Sequence, residues 1–283
     1  MSKAAALDPI SCALAEDIGT GDLTTQLFVP PGLQAFARIV ANQKSVIAGA
    51  ETAAEVFRRV DTKLHVQVRL GDGTSVIGGE TVVEIRGRAQ SILTAERVAL
   101  NFLQRLSGIA TITRAFVDSV AGSRAKILDT RKTTPGLRAL EKAAVVAGGG
   151  RNHRFGLFDM VMVKDNHLSG GSGFEQMRAA IQRVRMEHPG IRVEVEADNL
   201  QQVRSFLEID GIDVILLDNM PPSKMREAIA LGKAKVEFEA SGGVSLRNVR
   251  QIAATGVDYI SVGALTHSAP AVDLSLELTP VGT

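Results

Sequence analysis

Short apolar runs recur at a regular interval through the second half of the chain, and this spacing constrains the fold more than any other feature. Each run is followed by a segment with helical periodicity. Four successive runs end at Glu196, Asp218, Ser241 and Gly263, which are 22, 23 and 22 positions apart. Strands that alternate with helices in units of constant length predict a parallel sheet, and the regularity favours a β/α barrel over an open doubly wound sheet.

Six such runs are present, at 126–129, 160–164, 193–196, 214–218, 236–241 and 259–263. A complete barrel of this type needs eight strands. We therefore predict an α/β fold whose second part is an incomplete or open β/α barrel of about six parallel strands. Each predicted strand ends in a polar residue or glycine, and the carboxyl ends of barrel strands open onto one face, where active sites lie.

The first hundred residues follow a different pattern. Apolar and polar residues alternate over 37–40, 64–68 and 82–85, which predicts half-buried antiparallel strands. Thr94 is then expected to cap a helix that weakens at Ser107 and Gly108. These patterns predict an N-terminal α+β domain over 1–108, joined by the segment 268–283, and a β/α-barrel catalytic domain over 109–267.

Composition excludes some classes of partner. The chain carries 32 basic and 31 acidic residues, a net charge of +1, so binding to nucleic acid or to an anionic membrane has no global electrostatic support. The one cysteine, Cys12, cannot form an intrachain disulfide, and no secretory or membrane-spanning segment is visible. We therefore expect a cytoplasmic protein.

Cations are concentrated at strand ends and in glycine-rich loops. Arg131 and Lys132 follow the first barrel strand, His153 and Arg154 follow Gly148–Gly150, and Lys164 ends the second strand. Any one of these positions could simply be a strand emerging into water, but the set indicates a pocket for a polyanionic small molecule. The sequence 133–136 is interpreted as a helix start with proline near its first position, which predicts an anion site.

Two carboxylates and two glycine-containing loops complete the pattern. Glu196 and Asp218 could be a catalytic pair, ligands of a divalent cation or acceptors for sugar hydroxyls, and we favour ribose and Mg²⁺ contacts over zinc. The loop 241–245 and the loop 262–266, one unit later, have the character of phosphate-binding loops after the last two strands of a barrel.

Several runs together resemble the quinolinate phosphoribosyltransferase family. They are DTRKTTPGLR at 129–138, GGGRNHRFG at 148–156, KDNH at 164–167, LDN at 217–219 and EASGG at 239–243, with EDIGTGDLT at 16–24 and NFLQRLSGIAT at 101–111. The resemblance implies transfer of phosphoribose from phosphoribosyl pyrophosphate to quinolinate with loss of carbon dioxide, giving nicotinate mononucleotide for NAD biosynthesis. It also implies a homodimer or a higher oligomer, and no organic cofactor.

The same resemblance implies roles for individual residues. Arg131, His153 and Arg154 would bind quinolinate, joined by Arg105 from a neighbouring subunit. Lys132, Lys164, Glu196 and Asp218 would be catalytic, with the two carboxylates near the Mg²⁺ that the donor carries. The remaining substrate-binding positions are Thr130, Ser241, Gly242, Gly243, Val262, Gly263 and Ala264.

Alternative hypotheses stay open. A phosphoribosyltransferase of the same fold could use another aromatic acid, and Arg105, His153 and Arg154 are the positions that discriminate. A binding or regulatory protein could sense a phosphorylated metabolite without turning it over, but retention of both lysines and both carboxylates argues against it. A related protein of the molybdenum locus shares the Arg-Lys-Thr motif but lacks the matching runs at 152–154 and 164–167.

Overall fold

The computed structural model describes residues 8–164, 174–232 and 235–281. The chain divides into two compact units. The first contains 1–114, 133–149 and 266–283, and the second contains 115–132 and 150–265.

The first unit is built on an antiparallel sheet with the strand order β12-β1-β5-β3, and β2 pairs with β4 in a small ribbon. Its strands are β1 (Gln34–Ala41), β2 (Ser45–Val46), β3 (His65–Val68), β4 (Ser75–Val76), β5 (Thr81–Arg88) and β12 (Leu274–Pro280). Helices α1 (Pro9–Ile18), α2 (Leu23–Phe28), α3 (Ala50–Val60), α4 (Ala89–Ser119) and α5 (Arg138–Ala147) accompany it, α4 continuing past residue 114.

Alternation along the central strand explains how this sheet forms a core. Ala35, Ala37 and Ile39 on β1 are almost fully buried, whereas Arg38 between them is exposed and pairs with Glu277 on β12. Successive residues of a strand point to opposite faces, so one face packs on the core and the other meets water. The predicted antiparallel sheet is confirmed, and its last strand is β12, Leu274–Pro280.

Helix α4 differs from its prediction. It begins at Ala89, so Thr94 lies inside it, and it continues through Gly108 to Ser119. A Cβ atom on Gly108 would lie 2.0 Å from the carbonyl oxygen of Pro270. Glycine is therefore present because another backbone segment of the first unit packs against the helix there, and not because the helix ends.

Residues 133–149 also differ from their predicted domain. They belong to the first unit, although the sequence pattern placed them in the barrel. Leu137 and Leu140 pack against the apolar core of the first unit. Burial of these two side chains places α5 in the first unit. Local periodicity shows that a side chain is buried but not which segment it packs against.

The second unit is a six-stranded parallel sheet with the order β6-β11-β10-β9-β8-β7. Its strands are β6 (Lys126–Leu128), β7 (Val161–Val163), β8 (Val193–Ala197), β9 (Val214–Asp218), β10 (Glu237–Ser241) and β11 (Tyr259–Ser261). Its helices are α6 (Phe174–Glu187), α7 (Leu200–Phe206), α8 (Pro222–Gly232), α9 (Val249–Ala253) and α10 (Ala264–His267), the last crossing into the first unit at Thr266.

Within the described residues, β6 and β7 are the two edges of this sheet, which confirms the open barrel of six strands. Arg151 forms an isolated parallel bridge with Leu128 at the outer edge of β6. The chain that leads to His153 is thereby fixed beside the first barrel strand. Among the helices of the described ranges, none combines the length and the hydropathy that a membrane crossing requires.

Candidate active site

Polar side chains of neighbouring strands meet on one face of the parallel sheet. Glu196 on β8 pairs in register with Leu216, and Asp218, which ends β9, pairs with Ser241 at the end of β10. Because side chains alternate along a strand, Glu194 and Glu196 share a face of β8, and Glu239 and Ser241 share a face of β10. Residues far apart in sequence are thereby placed at the carboxyl ends of adjacent strands.

Lys164 follows β7 and forms an ion pair with Glu196 on the neighbouring strand. The Glu196 side chain is only 9% exposed, whereas the ammonium-bearing side chain of Lys164 is 42% exposed. The Glu196 carboxylate is therefore nearly buried against the sheet. The Lys164 ammonium group faces solvent, where an anionic ligand could reach it. The rest of the KDNH run, 165–167, lies outside the described residues.

The loop after β10 has the shape that glycine permits. Gly242 and Gly243 both have positive φ, of 89° and 59°. Asn248 holds the loop from the other side, because its amide donates to the Gly243 carbonyl at 2.9 Å and its side-chain oxygen accepts from Ser245 N–H at 2.8 Å. The helix that follows this loop, α9, contains only five residues.

The loop after β11 is hydrogen-bonded to the neighbouring strand. The amide of Val262 donates to the Leu128 carbonyl at 2.9 Å, so it continues the β11–β6 pairing. Gly263 follows, and α10 begins at Ala264. Of the three predicted positions, Val262 is almost fully buried, whereas Gly263 and Ala264 are partly exposed.

The end of β6 organises the basic motif. Asp129 is fully buried, and its carboxylate accepts the backbone N–H of His153 at 2.8 Å. The Thr130 hydroxyl accepts the backbone N–H of Lys132 at 3.1 Å. Asp129 therefore joins the two basic segments, and Thr130 shapes the turn that carries Arg131 and Lys132.

Arg131 and Arg154 lie close enough to repel each other. Partial burial and the charge of Arg131 both lower the pKa of Arg154. The carboxylates of Glu194 and Asp159 act in the opposite direction, so the charge of Arg154 is partly balanced within the protein. An anionic ligand placed beside both guanidinium groups would add to this stabilisation.

His153 sits in a buried cluster of carboxylates. Its Nε2 lies 3.0 Å from a carboxylate oxygen of Glu194 and 3.5 Å from one of Glu239, and its Nδ1 accepts the backbone N–H of Arg154 at 2.8 Å. Both carboxylates are at most 2% exposed. The two ring nitrogens are thus engaged within the protein, and the imidazole orients the backbone of the neighbouring arginine.

The surroundings of His153 and Glu194 favour the protonated form of each group. Burial alone would lower the pKa of His153, but hydrogen bonds to Glu194 and Glu239 outweigh it and raise the pKa to about 10. Burial and the neighbouring Glu239 raise the pKa of Glu194 to about 7. The Arg154 amide opposes a proton on Nδ1, so we place the proton between Glu194 and Nε2, where the two groups titrate together.

One imidazole and two carboxylates within 4.8 Å of one another could also hold a metal ion. The hydrogen bond from the Arg154 amide argues against this, since it leaves Nδ1 bare and puts the ring proton on Nε2, the atom that faces Glu194 and Glu239. A metal ligand would need that lone pair. The cluster lines a cavity of about 360 Å³ beside Val214 and Tyr259, the first residues of β9 and β11.

The helix start predicted at 133–136 is wrong. Pro135 and Gly136 form a turn, and α5 begins only at Arg138. The Glu141 carboxylate, which is fully buried, accepts the N–H of Thr134 at 3.1 Å and its hydroxyl at 2.7 Å. The Thr134 amide and hydroxyl are therefore already paired with the protein's own carboxylate, and the anion site predicted near this segment stays a prediction.

Arg105 is held in the first unit. It pairs with Glu141 at 3.1 Å and donates to the carbonyls of Ala269 at 3.0 Å and of Thr266. Its side chain remains 29% exposed and lines a cavity of about 480 Å³ that includes Thr134 and Pro135. The guanidinium is thus fixed on one side and accessible on the other.

Sequence reasoning missed several residues that shape the site. Glu194 and Glu239 were visible as carboxylates at alternate positions of apolar strands, which signals charge on an inward face. Asp129 and Asn219 lie within the motifs, but the sequence alone predicts no function for them. The only indication for Asn248 is its position near the glycine loop.

Two family models cover most of the chain. The quinolinate phosphoribosyl transferase N-terminal domain matches residues 22–107, and the C-terminal domain of the same name matches residues 109–277.

Curated relatives agree with this assignment. The chain is 45% identical over 266 residues to a probable nicotinate-nucleotide pyrophosphorylase [carboxylating] of Bacillus subtilis, covering 93% of this chain and 90% of the relative. It is 42% identical over 285 residues to quinolinate phosphoribosyltransferase [decarboxylating] 1b of Nicotiana tabacum, covering 95% and 81%.

Solved structures show the same architecture over both units. NadC from Streptococcus pyogenes aligns with a TM-score of 0.90 at 39% identity and covers 96% of each chain. The nicotinate-nucleotide pyrophosphorylase of Francisella tularensis aligns with a TM-score of 0.89 at 37% identity, covering 95% of this chain and 94% of that one. With matched domains, relatives and architecture in agreement, the chain belongs to the quinolinate phosphoribosyltransferase family.

Proposed function

We propose that this protein transfers the phosphoribosyl group of phosphoribosyl pyrophosphate to quinolinate, with loss of carbon dioxide, to give nicotinate mononucleotide and pyrophosphate. The observation that carries the proposal is the pairing of Lys164 with Glu196 on the strand next to Asp218. A cation facing solvent beside two carboxylates matches a donor that has both anionic phosphates and neutral hydroxyl groups. The membership of the family supports the same reaction.

Quinolinate carries two carboxylates, and the paired arginines suit it. A dianion would interact favourably with both guanidinium groups, in addition to the Glu194 and Asp159 carboxylates that already stabilise the charge of Arg154. His153 holds the Arg154 backbone through its Nδ1. Direct contact between the His153 ring and quinolinate stays a prediction.

The phosphoribosyl donor would bind at the carboxyl ends of β8, β9 and β10. Glu196 and Asp218 would accept hydrogen bonds from the ribose hydroxyls, and the positive-φ glycines Gly242 and Gly243 would let the 5′-phosphate approach the backbone. Ser241 pairs in register with Asp218. The ribose hydroxyls and the 5′-phosphate would therefore contact neighbouring strands. Gly263 would contribute from the adjacent loop.

The donor would bring Mg²⁺. Carboxylate oxygens such as those of Glu196 and Asp218 are the hard ligands that this ion prefers. Bound there, the ion would neutralise charge on the pyrophosphate. Lys132 and Lys164 would add fixed positive charge on the same leaving group.

The chemistry requires mainly positioning and electrostatics. The pyridine nitrogen attacks the anomeric carbon, the bond to pyrophosphate breaks, and positive charge develops on the ribose while negative charge leaves with pyrophosphate. Glu196 would stabilise the former and the two lysines the latter. The alkylated ring nitrogen then accepts the electron pair released when the 2-carboxylate departs as carbon dioxide and a proton takes its place, so no organic cofactor is needed.

A homodimer would complete the site with Arg105 from the second copy. The exposed face of that side chain and its fixed position beside Glu141 support this role. Leu23, Leu27 and Phe28 on α2 are more than 70% exposed, and such a cluster of apolar side chains is typical of a surface that another chain covers. The trans contribution predicts that Arg105→Ala and Arg154→Ala variants, each inactive alone, regain part of their activity when mixed.

The deciding experiment measures products. Purified protein is incubated with quinolinate, phosphoribosyl pyrophosphate and Mg²⁺, and carbon dioxide and nicotinate mononucleotide are quantified, with nicotinate as a parallel acceptor. Equal amounts of both products from quinolinate alone support the proposal. Turnover of nicotinate only would overturn the dicarboxylate site, and no turnover of either would favour a binding protein. The cytoplasmic location stays a prediction.

A further inference from the structure

Asn219 adopts an unusual backbone conformation. Its φ is 53°, and among the residues that the structure describes it is the one non-glycine residue with positive φ. This left-handed region is strained for side chains other than glycine, although asparagine tolerates it better than most. Asn219 is also exposed, so burial does not compensate for the strain. Strain of this kind persists where the surroundings impose it, and it is concentrated at functional sites.

The side chain of Asn219 is directed to its neighbour in the candidate site. Its Nδ2 donates to a carboxylate oxygen of Asp218 at 2.8 Å. In water, a hydrogen bond between two accessible side chains contributes little to folding. What it does is fix the orientation of a carboxylate that would otherwise rotate about its terminal bond.

The backbone and the other side of the carboxamide contact the glycine loop. The N–H of Asn219 donates to the Ser241 carbonyl at 2.9 Å. A Cβ atom on Gly242 would lie 2.1 Å from the Asn219 side-chain oxygen, so that glycine is required for the contact. One residue therefore touches both the last residue of β9 and the loop that follows β10.

We propose that Asn219 is a positioning residue that fixes the Asp218 carboxylate and the Gly242 backbone at one separation, so that the ribose and the 5′-phosphate of the donor are bound together. This inference rests on the proposed function. It assigns Asn219 no direct contact with substrate. Its left-handed backbone is the conformation that lets the carboxamide reach both neighbours at once.

An Asn219→Gly variant separates this role from a structural one. Glycine adopts the left-handed conformation without strain, so the melting temperature should stay the same or rise. The KM for phosphoribosyl pyrophosphate should rise about tenfold, the change that loss of one hydrogen bond of ordinary strength causes. The KM for quinolinate should change less than twofold. A merely structural residue would give the opposite result, a lower melting temperature with both KM values unchanged.

A second variant, Asn219→Asp, keeps the size of the side chain but places a carboxylate beside Asp218. Repulsion between the two should raise the KM for the donor further than Asn219→Gly does. An Asn219→Asp variant that binds the donor as well as the wild type does would overturn the proposal.

A double-mutant cycle tests the route of action. Binding of ribose 5-phosphate is measured by calorimetry for Asn219→Gly, Asp218→Ala and the double variant. If Asn219 acts through Asp218, its effect should largely disappear when Asp218 is absent. Asn248→Ala is the matched control, since Asn248 holds the same loop through Gly243 and its effect should add to that of Asp218→Ala. Additive effects in both cycles would contradict the inference.

The two proposals fail in different ways. Absence of turnover in the wild-type protein would remove the proposed function. If the wild-type protein is active and Asn219→Gly has an unchanged KM for the donor, only the role proposed for Asn219 is wrong.

Discussion

The Nε2 atom of His153 lies 3.0 Å from a carboxylate oxygen of Glu194, inside the parallel sheet. Glu239 approaches the same nitrogen at 3.5 Å, and one oxygen of each carboxylate is buried without a hydrogen-bond partner. Unpaired buried oxygens are costly, so a retained proton stabilises the cluster. The basic segment that would bind quinolinate is thus attached to the barrel through a titrating group.

This cluster predicts that folding stability falls as the pH rises. The folded-state pKa values of His153 and Glu194 are raised, to about 10 and about 7, above the ordinary values of 6.5 and 4.5. The native state therefore binds more protons than the unfolded state. The stabilisation present at low pH is lost between about 4.5 and 7 through Glu194 and between 6.5 and about 10 through His153. One proton changes the free energy of unfolding by at most about 1.4 kcal/mol per pH unit.

Urea denaturation between about pH 5 and pH 10 measures this effect. A Glu194→Gln variant should show a shallower decline than the wild type, because one titrating carboxylate is gone. Glu277→Gln, which changes an exposed ion pair with Arg38, is the control and should leave the slope unaltered. Equal slopes in all three proteins would contradict the assignment of the proton to this cluster.

Removal of the Glu141 charge should destabilise the first unit. Glu141 is fully buried and accepts hydrogen bonds from Thr134 and Arg105. A Glu141→Gln variant keeps the shape but leaves the Arg105 guanidinium without its ionic partner, and we expect a loss of about 2 kcal/mol in the free energy of unfolding. Chemical denaturation measures it. A conservative Arg105→Lys change should cost less, and an unchanged stability in Glu141→Gln would show that the pair contributes nothing net.

Alanine at position 108 should destabilise the protein, although alanine favours helices over glycine by about 1 kcal/mol. The added methyl group would lie 2.0 Å from the Pro270 carbonyl oxygen, which forces one backbone segment to move. We expect the melting temperature of Gly108→Ala to fall by several degrees. Gly32→Ala is the control, because a Cβ atom there meets nothing within 4 Å. A stabilised Gly108→Ala variant would show that the contact with 270–271 is loose.

Lys164→Ala should reduce turnover without unfolding the protein. The Lys164 side chain is 42% exposed, so water can reach the Glu196 carboxylate once the ammonium group is gone, and we expect a loss of about 1 kcal/mol in the free energy of unfolding. Loss of one preorganised charge at a reacting centre lowers kcat by about 100-fold or more. Steady-state kinetics and melting temperature are measured together, with Lys224→Ala on α8 as the control for removal of an exposed paired lysine. Normal kcat in Lys164→Ala would remove this residue from the catalytic set.

Local patterns in the sequence predicted the elements whose residues carry their own signal. The alternation at 37–40 and 82–85 located β1 and β5, and the constant spacing of polar residues at strand ends predicted the open six-stranded barrel. A strand buried on one or both faces records that burial in its own composition. For the same reason Lys164, Glu196, Asp218 and Ser241 could be assigned to strand ends before any contact was known.

Other features depend on partners that are distant in sequence. The local sequence predicts a helix start at 133–136, because nothing local shows that Glu141 accepts the Thr134 amide. It likewise predicts that the helix weakens at Gly108, because nothing local shows the backbone of 270–271 packed against this glycine.

The sequence by itself determined the alternation of strands and helices, the class of chemistry that its cations and carboxylates permit, and the resemblance to one enzyme family. Only the tertiary structure decided that Glu194 and Glu239 hold His153, that Asn219 contacts both Asp218 and Gly242, and that α5 packs with the first unit. The physical reason is that periodicity reports whether a side chain is buried, whereas the identity of its neighbour is set by which segments the folded chain brings together.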